Sequence, residues 1–295
     1  SPRARLDLFI QVCQAIQHAH QKGIIHRDIK PSNILVTVND GVAVPKIIDF
    51  GIAKATSGQV LTDKTVYTAF EQFIGTPAYM SPEQAVLTSL DIDTRSDIYA
   101  LGVLLYELLT GKTPFDAKEL LAIGLDEMRR TIRETEPLRP STRVSTLPGQ
   151  ELSTTAHRRG LEAPELVGEL RSDLDWIVMK CLEKDRARRY ETANGLAMDI
   201  QRHLDNEPVV ARPPSAVYRF RKLVRRNKLA FMAAGAIAAA LLVGLSVSTW
   251  MFFEEKAARQ RAVAAERNQT LLRQEADLAR TNEVRMRLAA EANEN

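Results

Sequence analysis

Cysteine is nearly absent: Cys13 and Cys181 are the only two in 295 residues, far apart and without CxxC or histidine spacing. A zinc cluster built on cysteines and a disulfide scaffold are excluded. No charge of one sign dominates either. Forty basic residues against 37 acidic ones leave +3, too little to argue for nucleic acid, and no nucleic-acid partner is expected. Apolar residues at 45% and charged residues at 26% exclude a disordered or collagenous chain. The length leaves room for one large domain or two small ones. Because the first residue is Ser1 rather than Met and the sequence stops within the helical pattern AEANEN, the chain is expected to be an internal piece of a longer protein.

The tail, 254–295, contains neither Gly nor Pro and is rich in Ala, Glu, Arg and Leu, which are strong helix formers. A 4-3 ladder runs Ala258, Ala262, Ala265, Gln269, Leu272, Ala276, Ala279, Glu283, Met286, Ala290. Most rungs are alanine, so a single solvated helix and a coiled coil that pairs two chains into a homodimer both stay open. Upstream, Leu229–Phe253 is a run of 25 residues without one charge. As a helix it spans about 37 Å, against a hydrocarbon core near 30 Å. A core helix with no polar face over that length is uncommon, and Trp250 suits a membrane interface, so the run reads as a transmembrane helix. Its late position separates it from a signal peptide.

Pro208, Pro213 and Pro214 mark the end of the globular part near residue 210. The stretch 211–228 then reads as a basic juxtamembrane linker, with Arg219, Arg221, Lys222, Arg225, Arg226 and Lys228 uninterrupted by any acid. After the span, Lys256, Arg259, Arg261 and Arg267 are diluted by Glu254, Glu255 and Glu266. The denser cluster should stay in the cytoplasm. The expectation is a single-pass membrane protein with residues 1–210 cytoplasmic and the tail extracytoplasmic.

The sharpest chemistry lies in the globular part. Residues 26–33 read His26-Arg27-Asp28-Ile29-Lys30-Pro31-Ser32-Asn33. Asp49-Phe50-Gly51 follows after a gap of 15 residues, and Ser81-Pro82-Glu83 comes later. Singly, Asp and Asn are turn residues and the tripeptide is weak; three motifs in this order are specific. The set resembles the protein kinases, and with a membrane helix behind it the chain is similar to bacterial receptor-like Hanks-type serine/threonine kinases. The resemblance implies a mainly α fold, the kinase large lobe with a small β-hairpin at the active site. It implies ATP and Mg²⁺ as cofactors and protein Ser/Thr side chains as substrates.

Phosphoryl transfer needs positioning and charge neutralisation more than covalent help. By resemblance, Asp28 accepts or orients the proton of the attacking hydroxyl and Lys30 neutralises charge on the transferred group. Asn33 and Asp49 are hard oxygen ligands suited to Mg²⁺ on the nucleotide phosphates. Asp97 resembles the acid that anchors the catalytic-loop backbone, and His26 and Arg27 count as structural residues of that loop. Glu83 and Arg189 resemble the buried ion pair beneath the activation segment. That segment runs from Asp49 to Glu83 and holds Thr62, Thr65 and Thr68 as candidate phosphosites, whose phosphate Arg27 would pair with. Thr76 matches the threonine that contacts the catalytic Asp and Lys, an architectural role.

Periodicity predicts helices near 4–21, 94–110, 117–132, 173–183 and 192–205. Ile34-Leu35-Val36 and Ile47-Ile48 read as strands framing the site, His18 and His20 as surface and packing residues, and 134–172 as a surface-loop insertion. The small lobe of the family, with its Gly-rich loop and strand lysine, has no counterpart: no GxGxxG occurs in the sequence. Two functions from different classes follow. One is the large lobe of an active membrane kinase, inactive as an isolated fragment. The other is a non-catalytic, membrane-anchored docking module.

Overall fold

A computed structural model describes residues 2–50, 77–86 and 92–293, with side chains described to Asn282. The chain divides into two compact units, Ser1–Arg226 and Asn227–Asn295.

In the first unit, α1 (Pro2–Gln21) buries Leu6, Phe9, Ile10, Val12, Cys13, Ile16 and Ala19, the 3–4 spacing of a helix with one apolar face. It packs along α9 (Ala193–Leu204). The central helix is α2 (Thr94–Thr110), started by Asp93, whose side chain accepts the Arg95 N–H. Residues from Ser96 to Val103 are buried without a break, because α2 is enclosed by the rest of the lobe. It packs on α8 (Asp175–Cys181). A Cβ at Gly102 would stand 2.4 Å from Cys181 Cβ, so this close crossing requires glycine.

The β part is a two-stranded antiparallel hairpin, β1 (Ile34–Asn39) with β2 (Val42–Ile47), in register Ile34↔Ile47. It is turned by Asp40-Gly41, both at positive φ (50° and 79°), which matches the twist of a two-residue hairpin. β1 runs past the expected triplet to Asn39, whereas β2 lies ahead of most of the expected pair: it ends at Ile47, and Ile48 falls just beyond it.

Three expectations are corrected. The helix near 117–132 is two helices, α3 (Ala117–Ala122) and α4 (Leu125–Glu134). Gly124 caps the second at φ 83°, a left-handed conformation that favours glycine. The helix near 173–183 instead opens with a π-type wide turn over Leu170–Leu174, non-helical at Ser172. The segment 134–172 is not a loop. It forms α5 (Pro140–Ser145), α6 (Gly149–His157) and α7 (Ala163–Glu169), which place Val144, Ala156 and Leu166 in the main core. Buried Ser141 bonds buried Asp175 through both its N–H (2.9 Å) and its hydroxyl (2.6 Å). Arg159 closes the other end by donating to the Leu108 carbonyl of α2 at 3.1 Å.

Past α9 the chain stays on the lobe. Asp199, fully buried, accepts the N–H groups of Val210 and Ala211, both at 2.8 Å, and the Tyr190 hydroxyl at 2.9 Å. Helix α10 (Ala216–Arg226) follows within the same unit.

The second unit is one helix, α11 (Lys228–Asn293). It contains the one helix among the described residues that is long and apolar enough to cross a membrane.

Candidate active site

The site is built where the loop after α1 meets the hairpin and the start of α2. Asp97 organises it. Its Oδ2 accepts the His26 N–H and its Oδ1 accepts the Arg27 N–H, each at 2.8 Å. His20 Nε2 lies 2.7 Å from Oδ2. Asp97 is 1% exposed, and buried carboxylate oxygens are costly without such hydrogen-bond partners. They hold the loop while Arg27 takes a left-handed backbone conformation, φ 66°.

His26 is wholly buried. Its Nδ1 accepts the Asp28 N–H at 3.3 Å, and its Nε2 lies 3.1 Å from the Ile48 carbonyl, which assigns the proton to Nε2. Its ring also sits 4.7 Å from the Phe50 ring. One histidine therefore ties the loop carrying Asp28 to the strand end carrying Asp49.

Lys30 Nζ is 2.9 Å from Asp28 Oδ2. Asn33 Nδ2 donates to the Asp28 carbonyl at 2.8 Å and reaches Oδ2 at 3.3 Å. Asn33, 5% exposed, thereby turns its Oδ1 away from Asp28. The Ile48 N–H donates to the Asn33 carbonyl at 3.0 Å, fixing Asn33 against the residue next to Asp49. Asp49 is exposed and held at φ 55°, a costly conformation for a residue other than glycine.

Below the site, Arg189 makes a two-pronged contact with Glu83, at 2.7 and 2.8 Å. Ser96 Oγ donates to Glu83 Oε1 at 2.6 Å. Burial alone would raise the Glu83 carboxyl; the Arg189 and Ser96 hydrogen bonds outweigh it and hold it below the usual range. Arg189 also donates to the carbonyls of Glu183, Arg95 and Lys184, so its buried charge is fully used.

The structure thus brings together His26, Arg27, Asp28, Lys30, Asn33 and Asp97, places Asp49 beside them, and pairs Glu83 with Arg189. Thr62, Thr65, Thr68 and Thr76 lie outside the described residues. Two contributors went unrecognised in the sequence. His20, read there as a packing residue, meets Asp97 from 77 positions away, and nothing local signals that pairing. Gln84 donates to the Arg27 carbonyl at 2.9 Å and accepts from the Ser81 N–H at 3.0 Å; its place next to Glu83 was the available hint.

Comparison with known proteins identifies the family. The protein kinase domain matches residues 1–203. The serine/threonine-protein kinase PknB of Mycobacterium tuberculosis is 36% identical over 210 residues, covering 70% of this chain and 27% of that protein. A probable serine/threonine-protein kinase of Streptomyces coelicolor is 37% identical over 210 residues, covering 71% and 26%. The chain spans about a quarter of the length of these curated relatives. Among solved structures, the PknI kinase domain of Mycobacterium tuberculosis aligns at TM-score 0.42 and 20% identity, over 69% of this chain and 56% of that one. The chain belongs to the protein kinase family, and these curated relatives are bacterial serine/threonine kinases.

Proposed function

We propose that this chain carries the catalytic lobe of a membrane-anchored kinase that transfers the γ-phosphoryl group of ATP to Ser or Thr hydroxyls of proteins. The observation that carries the reading is the convergence of Lys30 and Asn33 on Asp28 Oδ2, at 2.9 and 3.3 Å, with Asn33 also holding the Asp28 carbonyl at 2.8 Å. Asp28 orients the attacking hydroxyl and takes up its proton. Lys30, held on the same carboxylate, offsets charge that develops on the transferred group. The donor set fits Mg²⁺-ATP: Asn33 Oδ1, turned from Asp28, and the exposed Asp49 carboxylate are hard oxygen donors. When bound, Mg²⁺-ATP supplies the activated phosphoryl group and much of the charge neutralisation.

Leu35, Val36, Val38 and Val42 on the hairpin are half to two-thirds exposed. Val36 and Val38 lie on one face of the hairpin and Leu35 and Val42 on the other, and apolar exposure of this kind suits a covering nucleotide-binding lobe. In this reading the 295 residues do not transfer phosphate alone, and the family's small lobe completes the pocket. Arg27, with no carboxylate partner among the described residues, is free to hold a phosphate on Thr62, Thr65 or Thr68. The basic flank of the apolar helix keeps the lobe in the cytoplasm, where ATP is available, and the tail outside. Pairing of two tails would bring two lobes together for phosphorylation in trans.

The test is transfer from labelled ATP to a mixed Ser, Thr and Tyr peptide pool, using the chain extended by its nucleotide-binding lobe and supplied with Mg²⁺. Label on Ser and Thr is expected. Label on Tyr, or none on any peptide, overturns the reading.

A further inference from the structure

Helix α10 does more than lead into the apolar helix. Its inner face is pinned to the lobe at Asp173, which is 1% exposed. Tyr218 donates its hydroxyl to Asp173 Oδ1 at 2.8 Å and accepts the Val209 N–H at 3.1 Å. Lys222 Nζ, on a residue 7% exposed, lies 2.5 Å from Asp173 Oδ2, and His203 Nδ1 lies 3.3 Å from it. Lys222 therefore offsets the buried Asp173 carboxylate.

A cleft of about 510 Å³ remains between α10, the wide turn at 170–174 and the end of α9. Arg171, Arg212, Arg221 and Arg225 line it together with Lys222, facing only Asp173 and Glu169. Arg212 stacks on the Tyr218 ring at 4.4 Å. Arg171, Arg221 and Arg225 are exposed and have no carboxylate partner among the described residues. Burial pushes the Glu169 carboxyl up, which weakens its opposition to an incoming anion. Cations gathered around a concave pocket, with their one buried counter-charge already matched, form a site for a compact anion with several acceptor oxygens.

Connectivity selects the source of that anion. Arg225 precedes Leu229, the first residue of the apolar run, by four positions. Even fully extended, four residues reach about 14 Å, so Arg225 stays within reach of the headgroup layer if the run spans a membrane. Basic residues beside a span are drawn to anionic lipid, each by about 1 kcal/mol. We propose that this cleft, walled by Arg171, Arg212, Arg221 and Arg225, binds the phosphodiester headgroup of an anionic membrane lipid. The site rests on the reading of Leu229–Phe253 as a membrane span. With Asp173 gripping α10 from inside and a headgroup on its outer cations, the lobe is tied to the bilayer surface at one place.

The test uses the full chain in nonionic detergent, with bound phosphatidylglycerol and phosphatidylcholine measured by native mass spectrometry. The chain is expected to hold phosphatidylglycerol at least tenfold more tightly than phosphatidylcholine. The triple variant Arg171→Gln, Arg221→Gln, Arg225→Gln keeps the Asp173 contacts and should lose that preference. A variant with Arg259→Gln, Arg261→Gln and Arg267→Gln on the tail removes the same charge and should keep it. Equal retention of both lipids by the parent chain overturns the proposal, as does an unchanged preference in the triple variant. Displacement of the lipid by inorganic phosphate at equal molarity also overturns it, making this a free-phosphate site. Extraction of expressing membranes with alkaline carbonate separates the two readings. A chain released into the soluble fraction removes the membrane span and the lipid site together. A chain retained there but indifferent to lipid charge removes the site alone.

Discussion

Gln84 donates its side-chain N–H to the Arg27 carbonyl at 2.9 Å while its own Oε1 takes the Ser81 N–H at 3.0 Å and the Ser81 hydroxyl at 3.1 Å. One amide thus joins the motif that ends the activation segment to the residue before Asp28. Removing it leaves a part-buried carbonyl and a wholly buried Ser81 short of partners, which costs roughly 1–2 kcal/mol. Gln84→Met keeps the volume and loses every hydrogen bond. Urea unfolding should show that loss, and an unchanged midpoint would mean the bridge is idle.

Asp97 divides two oxygens among the His26 N–H, the Arg27 N–H and His20. An asparagine offers one oxygen and a competing N–H₂ group, so Asp97→Asn leaves at least one buried donor unmatched. About 1–3 kcal/mol of stability should go, and turnover of the complete kinase should fall with it, because Arg27 sits at φ 66° only while those bonds hold. His20→Phe should reproduce a smaller part of the loss. A fall in stability with turnover unchanged would separate anchoring from catalysis and reject that coupling.

How far these features could be read in the sequence depended on how local their cause was. The motif from His26 to Asn33 and helix α2 were legible because capping, turn chemistry and a continuous apolar run act over a few residues. Glu83–Arg189 and Asp97 were reached only by resemblance, since their partners lie 106 and about 70 positions away. The helices of 134–172 escaped because each is only six to nine residues long and buries few apolar side chains, too thin a pattern for periodicity. The hold of Asp173 on α10 was hidden in another way. Lys222 belongs to a run of cations that reads as uniformly solvated, and only the fold shows that it alone of them turns inward to the carboxylate.

Asp28 and Asp49 should fail differently. Asp28→Asn removes the proposed proton acceptor but keeps a side chain that Lys30 and Asn33 can still contact. Turnover of the complete kinase should drop by about 10²–10⁴, with ATP affinity little changed. Asp49→Asn removes a charge offered to Mg²⁺ and should instead weaken Mg²⁺-nucleotide binding. Steady-state kinetics and nucleotide titration on both variants check the split. Near-normal turnover in Asp28→Asn would mean another group takes the proton.

The α10 anchor should be sensitive to acid. Burial alone would raise the Asp173 carboxyl, but hydrogen bonds from His203, Lys222 and Tyr218 outweigh it and bring it to about 2, below its ordinary 3.8. A carboxyl lowered in the folded state stabilises it fully above about pH 4 and loses that contribution as pH falls toward 2. The full difference corresponds to roughly 2 kcal/mol. The stability gap between the parent chain and Asp173→Asn should therefore be constant from pH 7 to 5 and shrink below pH 4. A gap that narrows instead between pH 7 and 5 would mean that the Asp173 carboxyl is not held below its ordinary range.

The topology can be tested without any assay of transfer. Arg219, Arg221, Lys222, Arg225, Arg226 and Lys228 precede the apolar run without one acid among them, while the four cations after it are spread over twelve positions among glutamates. By the reading proposed above, that bias keeps the kinase lobe in the cytoplasm. Arg259, Arg261 and Arg267 are exposed on α11 and open to trypsin if the tail lies outside. Trypsin added to intact cells should then clip 254–295 and spare the lobe, whereas permeabilised cells should lose both. Cleavage of the lobe in intact cells would reverse the orientation, and it would also remove the lobe from its supply of ATP.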